Sequence, residues 1–127
     1  MDKIKKYLGI DWGEKRIGLA TADEEVRLAL PLKTVASLAE VLSAINEEEA
    51  DVIVLGAPQK MSGAAADNPL WRDFLSQLKE RSGRTVVLAD ERLTSQAADS
   101  LEGSAAEKAE RDEIAATLIL QDYLDQN

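Results

Sequence analysis

A short apolar segment in the middle of the chain constrains the fold more than any other feature. Residues 51–56 read Asp-Val-Ile-Val-Leu-Gly, so four apolar residues in a row stand between two turn-forming residues. A strand with one face in water alternates apolar and polar residues, whereas an unbroken apolar strand needs cover on both faces. Strands of this kind are typical of parallel sheets with helices on both sides. The segment therefore predicts an α/β fold.

The segments around it predict alternating strands and helices. Two apolar runs joined by a tight turn at Gly13 predict a hairpin, and a third run ends near Pro31. Three- and four-residue apolar spacing predicts helices on either side of the central strand, with Thr34 as the first N-cap and Ser82-Gly83 closing the second. The order predicts a mixed five-stranded sheet, three antiparallel strands and then two β-α crossovers, flanked by helices. The strands are predicted at residues 7–11, 16–21, 26–32, 51–56 and 85–89, followed by a short helix at about 94–101, a linker at 103–106 and a final helix.

The amino-acid composition excludes several kinds of catalytic and metal-binding site. The 127 residues include no Cys and no His, which excludes disulfides, thiol nucleophiles, zinc fingers and Ser-His or Cys-His catalytic pairs. The net charge of −9 argues against bulk electrostatic attraction to nucleic acid. Residues 1–34 hold seven basic and six acidic side chains, so this part of the chain is the most favourable for binding an anion. No apolar run approaches the roughly 18 residues that span a bilayer, so we expect no membrane partner and a cytoplasmic protein.

Three acidic residues stand where ligands bind in α/β sheets. Asp11 ends the first predicted strand, Glu91 follows the last, and Asp112 opens the final helix. Ligands gather beyond the carboxyl ends of such strands. Small residues at Gly9 and at 115–116 would let the final helix approach the first strand, which would bring the three carboxylates together.

Grouped carboxylates repel one another unless a cation neutralises them. Oxygen ligands without His or Cys favour Mg²⁺ or Mn²⁺, and such clusters serve phosphoryl transfer without a histidine base.

Each of the three acidic residues also has a simpler interpretation. Asp11 suits an ordinary turn, Glu91 suits a pair with Arg92 or the N-terminus of the next helix, and Asp112 suits the dipole of a first helical turn. The residues alone leave these alternatives open.

The sequence around the three acidic residues resembles that of the YqgF-type family, the pre-16S rRNA nucleases that are also described as Holliday-junction-resolvase-like proteins. Four blocks match in order and spacing and cover essentially the whole chain. They are Leu8-Gly9-Ile10-Asp11-Trp12-Gly13-Glu14-Lys15-Arg16-Ile17-Gly18-Leu19-Ala20, Val54-Leu55-Gly56-Ala57-Pro58 with Met61-Ser62-Gly63, Asp90-Glu91-Arg92-Leu93-Thr94-Ser95, and Asp112-Glu113-Ile114-Ala115-Ala116 running to Leu120-Gln121-Asp122-Tyr123-Leu124.

The resemblance implies a single RNase H-like nuclease domain over residues 1–127. It implies a metal-dependent endonuclease of ribosome biogenesis that hydrolyses phosphodiester bonds at the 5′ end of pre-16S rRNA, as a monomer or weak homodimer. By analogy, the catalytic and metal-binding residues are Asp11, Glu91 and Asp112, and the cofactor is Mg²⁺ or Mn²⁺. Phosphate contacts are implied for Lys15 and Arg16, and substrate contact or support of Glu91 is implied for Arg92 and Thr94.

Three other functions stay open on the sequence. A resolvase of branched DNA would carry the same triad and would work as a symmetric dimer. A non-catalytic module that binds nucleic acid or a protein is the second, because Glu110 stands where the family commonly has a lysine and the stretch before Asp112 is less basic. The third is nucleotide binding, since residues 10–13 and Gly18 also resemble the phosphate loop of sugar kinases and actin-type ATPases.

Overall fold

A mixed sheet of five strands organises the computed structural model of the protein, which describes residues 4–57, 68–90 and 105–126. The strand order is β3-β2-β1-β4-β5. The pairs β1–β2 and β2–β3 are antiparallel, and β1–β4 and β4–β5 are parallel, so the predicted topology is confirmed. The elements in chain order are β1 (Lys6–Asp11), β2 (Ile17–Asp23), β3 (Leu30–Val35), α1 (Leu38–Glu48), β4 (Val52–Ala57), α2 (Pro69–Ser82), β5 (Thr85–Asp90) and α3 (Ala105–Gln126).

The two faces of the sheet carry side chains of different size. Large aliphatic side chains cover the face that packs against α1 and α2, among them the fully buried Leu8, Ile10 and Leu19. Mostly smaller residues cover the face under α3, where Ala20 and Ala22 are buried, and Tyr7 near the end of the helix is the large exception. Because side chains alternate along a strand, this division follows directly from the sequence of β1 and β2.

The small residues let α3 approach the sheet closely. A Cβ atom added to Gly9 would lie 2.8 Å from Leu120 Cβ and 3.0 Å from the Ala116 carbonyl oxygen. Such distances are too short for ordinary packing, so only glycine fits at this position. The predicted contact between Gly9 and the alanine-containing turn of the final helix is therefore confirmed.

The third strand begins later than the pattern predicts. Asp23 Oδ1 accepts a hydrogen bond of 2.7 Å from the Val26 backbone N–H, and the Arg27 N–H bonds the Asp23 carbonyl, so the chain turns where extended structure was expected. Aspartate side chains favour such turns by replacing a backbone acceptor. The strand therefore spans Leu30–Val35 instead of 26–32, and the N-cap of α1 is Ser37, not Thr34.

The last helix begins earlier than predicted. It starts at Ala105, so Ala105 and Ala106 are helical instead of belonging to a linker. The segment 105–111 consists of alanine, glutamate, lysine and arginine, which are strong helix formers. Asp112 consequently lies about two turns inside α3 and does not open it, so the helix-dipole interpretation of this residue is wrong. The predicted short helix at about 94–101 lies outside the described residues.

None of the helices in the described ranges combines the length and the apolar character that crossing a bilayer requires.

Tyr7 connects the loop after β2 to the end of α3. Its hydroxyl donates a hydrogen bond to Glu24, and its ring lies 6.1 Å from the ring of Tyr123, centroid to centroid. Glu24 also accepts a 2.8 Å hydrogen bond from Arg27, which in turn donates to the Leu124 carbonyl. Burial, then the hydrogen bond to Glu24 and the charge of that carboxylate, raises the pKa of Tyr7 to about 12.

The free energy of unfolding is expected to fall between about pH 10 and about pH 12 because of Tyr7. Unfolded tyrosine has a pKa of about 10, so the contribution of neutral Tyr7 is complete below that pH and is lost as the pH rises through about 12. Two pKa units correspond to about 2–3 kcal/mol. Denaturant unfolding of wild type and Tyr7→Phe at both ends of this range measures the effect. The phenylalanine variant should lose less stability by about that amount, and equal losses would contradict the assignment.

Candidate functional site

The carboxyl ends of the parallel strands meet at one edge of the sheet, and Asp11 ends the first of them. β1, β4 and β5 run in the same direction, so Asp11, Ala57 and Asp90 end at a common edge. Side chains alternate along β1, and Leu8 and Ile10 point toward α1 and α2. Asp11 therefore lies on the other face of the sheet, under α3.

Asp112 reaches the same place because of a glycine in β2. Gly18 is the direct register partner of Asp11 across the antiparallel pair. A Cβ atom on Gly18 would lie 2.1 Å from the Asp112 carbonyl oxygen and 2.9 Å from the Glu113 backbone nitrogen. The backbone of α3 thus contacts the sheet beside Asp11, since Cα atoms of antiparallel partners are only about 4.5–5.5 Å apart.

Two side-chain hydrogen bonds fix α3 at this point. Arg16 Nε donates to Asp112 Oδ2 at 2.7 Å, between residues 96 positions apart in sequence. On the neighbouring strand, Thr34 Oγ1 donates to Glu113 Oε2 at 3.0 Å. The Asp112 side chain is only 18% exposed, so its ion pair with Arg16 is better shielded from water than an ordinary surface pair.

Asp11 and Asp112 line one cleft, which has a volume of about 320 Å³. The β1–β2 loop forms its wall, and α3 contributes Asp112. Gly13 is part of this wall, and a Cβ atom there would lie 2.7 Å from the Arg16 carbonyl oxygen, so the loop is too tight for a larger residue. The backbone of Gly13 is not left-handed, unlike that of many glycines in tight turns. The lining residues are Asp11, Trp12, Gly13, Glu14, Lys15, Arg16 and Asp112.

Trp12 joins this cleft to the larger core. Its half-buried ring packs against the cluster under α1 and α2, with its centroid 6.2 Å from that of Phe74. Trp71, on the apolar face of α2, is buried in the same cluster. Trp12 therefore supports the wall of the cleft while one part of it faces the cavity.

The structure brings four of the seven predicted site residues together. Asp11, Asp112, Lys15 and Arg16 all line the cleft. Glu91, Arg92 and Thr94 lie outside the described residues; β5 ends at Asp90, on the same edge of the sheet as Asp11.

The donor set of the cleft fits a hard divalent cation. Its acidic groups are carboxylates, and the chain has no His or Cys to favour a softer metal. Within residues 4–57, 68–90 and 105–126, no three acidic side chains form a group that could enclose a metal ion. Mg²⁺ is commonly held by one or two carboxylates, with water and substrate phosphates completing its shell. Asp11 and Asp112 could hold a cation in that manner.

Sequence reasoning missed two features of the site. The ion pair between Arg16 and Asp112 joins distant parts of the chain, and no spacing in the sequence indicates it. The role of Gly18 was detectable in principle, because Gly18, Ala20 and Ala22 form a stripe of small residues on one face of β2. Such a stripe indicates where another element packs closely on a sheet.

The comparisons with known proteins agree on one family. Residues 5–126 match the family described as "RuvX: Holliday junction resolvase". A protein of Chloroflexus aurantiacus, named "Putative pre-16S rRNA nuclease", is 35% identical over 93% of this chain and 85% of its own length. A protein of Anaeromyxobacter sp. with the same name is 37% identical over 94% of this chain and 96% of its own.

A solved structure shares the fold. Thermus thermophilus RuvC in complex with a Holliday junction substrate superposes with a TM-score of 0.63, covering 96% of this chain and 94% of the RuvC chain. The sequences are 16% identical, so the likeness is one of architecture. The fold is accordingly RNase H-like, as the sequence resemblance implied.

Proposed function

The chain belongs to the family described as "RuvX: Holliday junction resolvase". From that membership we propose that it is a Mg²⁺- or Mn²⁺-dependent endonuclease, and from the names of its relatives that it acts on structured RNA. We propose the 5′ end of pre-16S rRNA as its substrate, which makes it a cytoplasmic enzyme of ribosome biogenesis. The names of the relatives at 35–37% identity support this substrate.

One observation carries the proposal: Asp11 and Asp112, from opposite ends of the chain, line a single cleft beside two basic residues. The close contact between Gly18 and the backbone of Asp112 holds this carboxylate beside Asp11, which a carboxylate with no role beyond surface charge would not require. The arrangement supplies negative charge for a cation and, within the same 320 Å³, positive charge for a phosphodiester.

Each side chain has a proposed role. Asp11 and Asp112 would hold the cation, with Glu91 as a third acidic ligand. When bound, Mg²⁺ or Mn²⁺ supplies electrostatic stabilisation of the negative charge that grows on the phosphate during hydrolysis. Lys15 and Arg16 would contact the phosphates on either side of the scissile bond and orient it over the carboxylates. Arg92 and Thr94 would contact the backbone or hold Glu91.

A second candidate function keeps the chemistry and changes the substrate to branched DNA. The family description favours it, and so does the Holliday junction bound by the structurally similar RuvC. A resolvase cuts two symmetry-related strands and is therefore expected to act as a symmetric dimer. Sedimentation of the protein with and without a four-way junction tests this requirement.

A side-by-side cleavage assay distinguishes the two candidates. Purified protein is incubated with a precursor rRNA fragment that includes the 5′ leader and with a four-way DNA junction, each with Mg²⁺, Mn²⁺ or EDTA. We expect metal-dependent cutting of the RNA and none in EDTA. Asp112→Asn, purified in parallel, controls for contaminating nucleases. Cutting of the junction alone would favour the resolvase, and cutting of neither substrate would refute the proposal.

A further inference from the structure

Arg16 stands inside the cation site and not merely beside it. Its Nε atom lies 2.7 Å from Asp112 Oδ2, and both residues line the cleft that Asp11 also lines. A divalent ion held by Asp11 and Asp112 would have to approach the same carboxylate that the guanidinium now contacts.

We propose that Arg16 is an internal countercharge, which neutralises Asp112 in the metal-free protein and is displaced by the cation. This inference rests on the proposed function. Without metal, the carboxylates lining one small cleft would repel each other, and the ion pair with Arg16 offsets that repulsion. It also holds Asp112, at 18% exposure, in place before a cation arrives.

Once the cation has displaced it from Asp112, the Arg16 guanidinium can bind a phosphate. The Arg16 side chain is 39% exposed and lines the open cleft, so it can turn from Asp112 toward that space. Its planar fork of donors matches two oxygens of a phosphate. Binding of the cation thus makes the phosphate-binding group available, and cation and nucleic acid are expected to strengthen each other's binding.

The distinctive consequence is that removing Arg16 strengthens cation binding. In wild type the cation must break an ion pair and then bind near a positive charge, whereas in Arg16→Gln it meets neither obstacle. The dissociation constant for Mn²⁺ should fall by about tenfold or more, given the size of charge interactions at such short range. Arg16→Lys retains the charge and should stay within about threefold of wild type.

Titration calorimetry of Mn²⁺ into the nucleic-acid-free protein tests the proposal without any measurement of activity. Lys15→Gln is the matched control, because it removes the same charge from the adjacent exposed position of the same loop. It should tighten Mn²⁺ binding by less than about threefold. Thermal unfolding of each variant confirms that it is folded.

The outcomes separate this inference from the function on which it rests. Tighter binding to Arg16→Gln, with Lys15→Gln near wild type, supports the countercharge. Unchanged or weaker binding to Arg16→Gln overturns it and leaves the metal-dependent nuclease standing. Equal tightening in Lys15→Gln also overturns it, because general charge would then explain the effect. Absence of Mn²⁺ binding in both wild type and Arg16→Gln overturns the countercharge and the proposed cofactor together.

Discussion

Asp11→Asn is expected to lower metal-dependent cleavage by at least about 10²–10³-fold, the size of effect seen when one electrostatic group is removed from an active site. Asparagine keeps the shape of the side chain and removes the charge that the cation needs. The fold should be retained, because Asp11 pairs with Gly18 through its backbone and asparagine keeps a side-chain oxygen that can accept hydrogen bonds. The rate of cleavage of a labelled precursor rRNA fragment and the thermal unfolding curve measure the two parts of this prediction.

Asp23→Asn is the matched control for Asp11→Asn. Asp23 ends β2 as Asp11 ends β1, but the strands are antiparallel, so the two residues lie at opposite edges of the sheet. Asparagine at 23 can still accept the hydrogen bond from Val26. Cleavage by this variant should stay within about twofold of wild type. Similar losses in both variants would mean that general charge, and not the cleft, controls activity.

Gly18→Ala is expected to cost at least about 2–3 kcal/mol of stability and to lower cleavage by about 10²-fold. The added methyl group would lie 2.1 Å from the Asp112 carbonyl oxygen, and backbone cannot move aside as a flexible side chain can. The helix must shift away from the sheet, which carries Asp112 away from Asp11. Denaturant unfolding and the same cleavage assay measure both effects.

Gly83→Ala separates this effect from the general consequence of replacing a glycine. Gly83 caps α2 with a φ of 65°, and a Cβ atom there would meet nothing within 4 Å. The substitution should cost about 1–2 kcal/mol through backbone conformation alone and should leave cleavage unchanged. If Gly18→Ala retained wild-type stability and activity, the close approach of α3 to β2 would not position the site.

The topology could be predicted because its determinants are local. The unbroken apolar run from Val52 to Leu55 indicates a strand covered on both faces, and the structure places it between two parallel neighbours. Gly9 and the alanines of the last helix predict their own contact, since only small residues allow such an approach. In the first case the pattern lies within one short segment, and in the second each partner carries its own local mark, a small residue in an otherwise apolar element.

Features that depend on competing local preferences or distant partners could not be predicted. The turn held by Asp23 competes with the extended preference of Val26 and wins, which moved the start of β3. The ion pair between Arg16 and Asp112 is a product of the folded arrangement. The position of Asp112 differs from the prediction because the helix-forming residues before it extend α3 by about two turns.

Asp11 and Asp112 are proposed to form one cation-dependent site for cleaving structured RNA. The most direct test measures Mn²⁺-dependent cleavage of a precursor rRNA fragment by wild type, Asp11→Asn, Asp112→Asn and the double variant. Residues that act as a unit are strongly non-additive, so each single variant should fall to the level of the double variant, and wild type should be inactive in EDTA. The proposal would be contradicted if the double variant cleaved the RNA at the wild-type rate, or if EDTA did not lower the rate of cleavage by wild type.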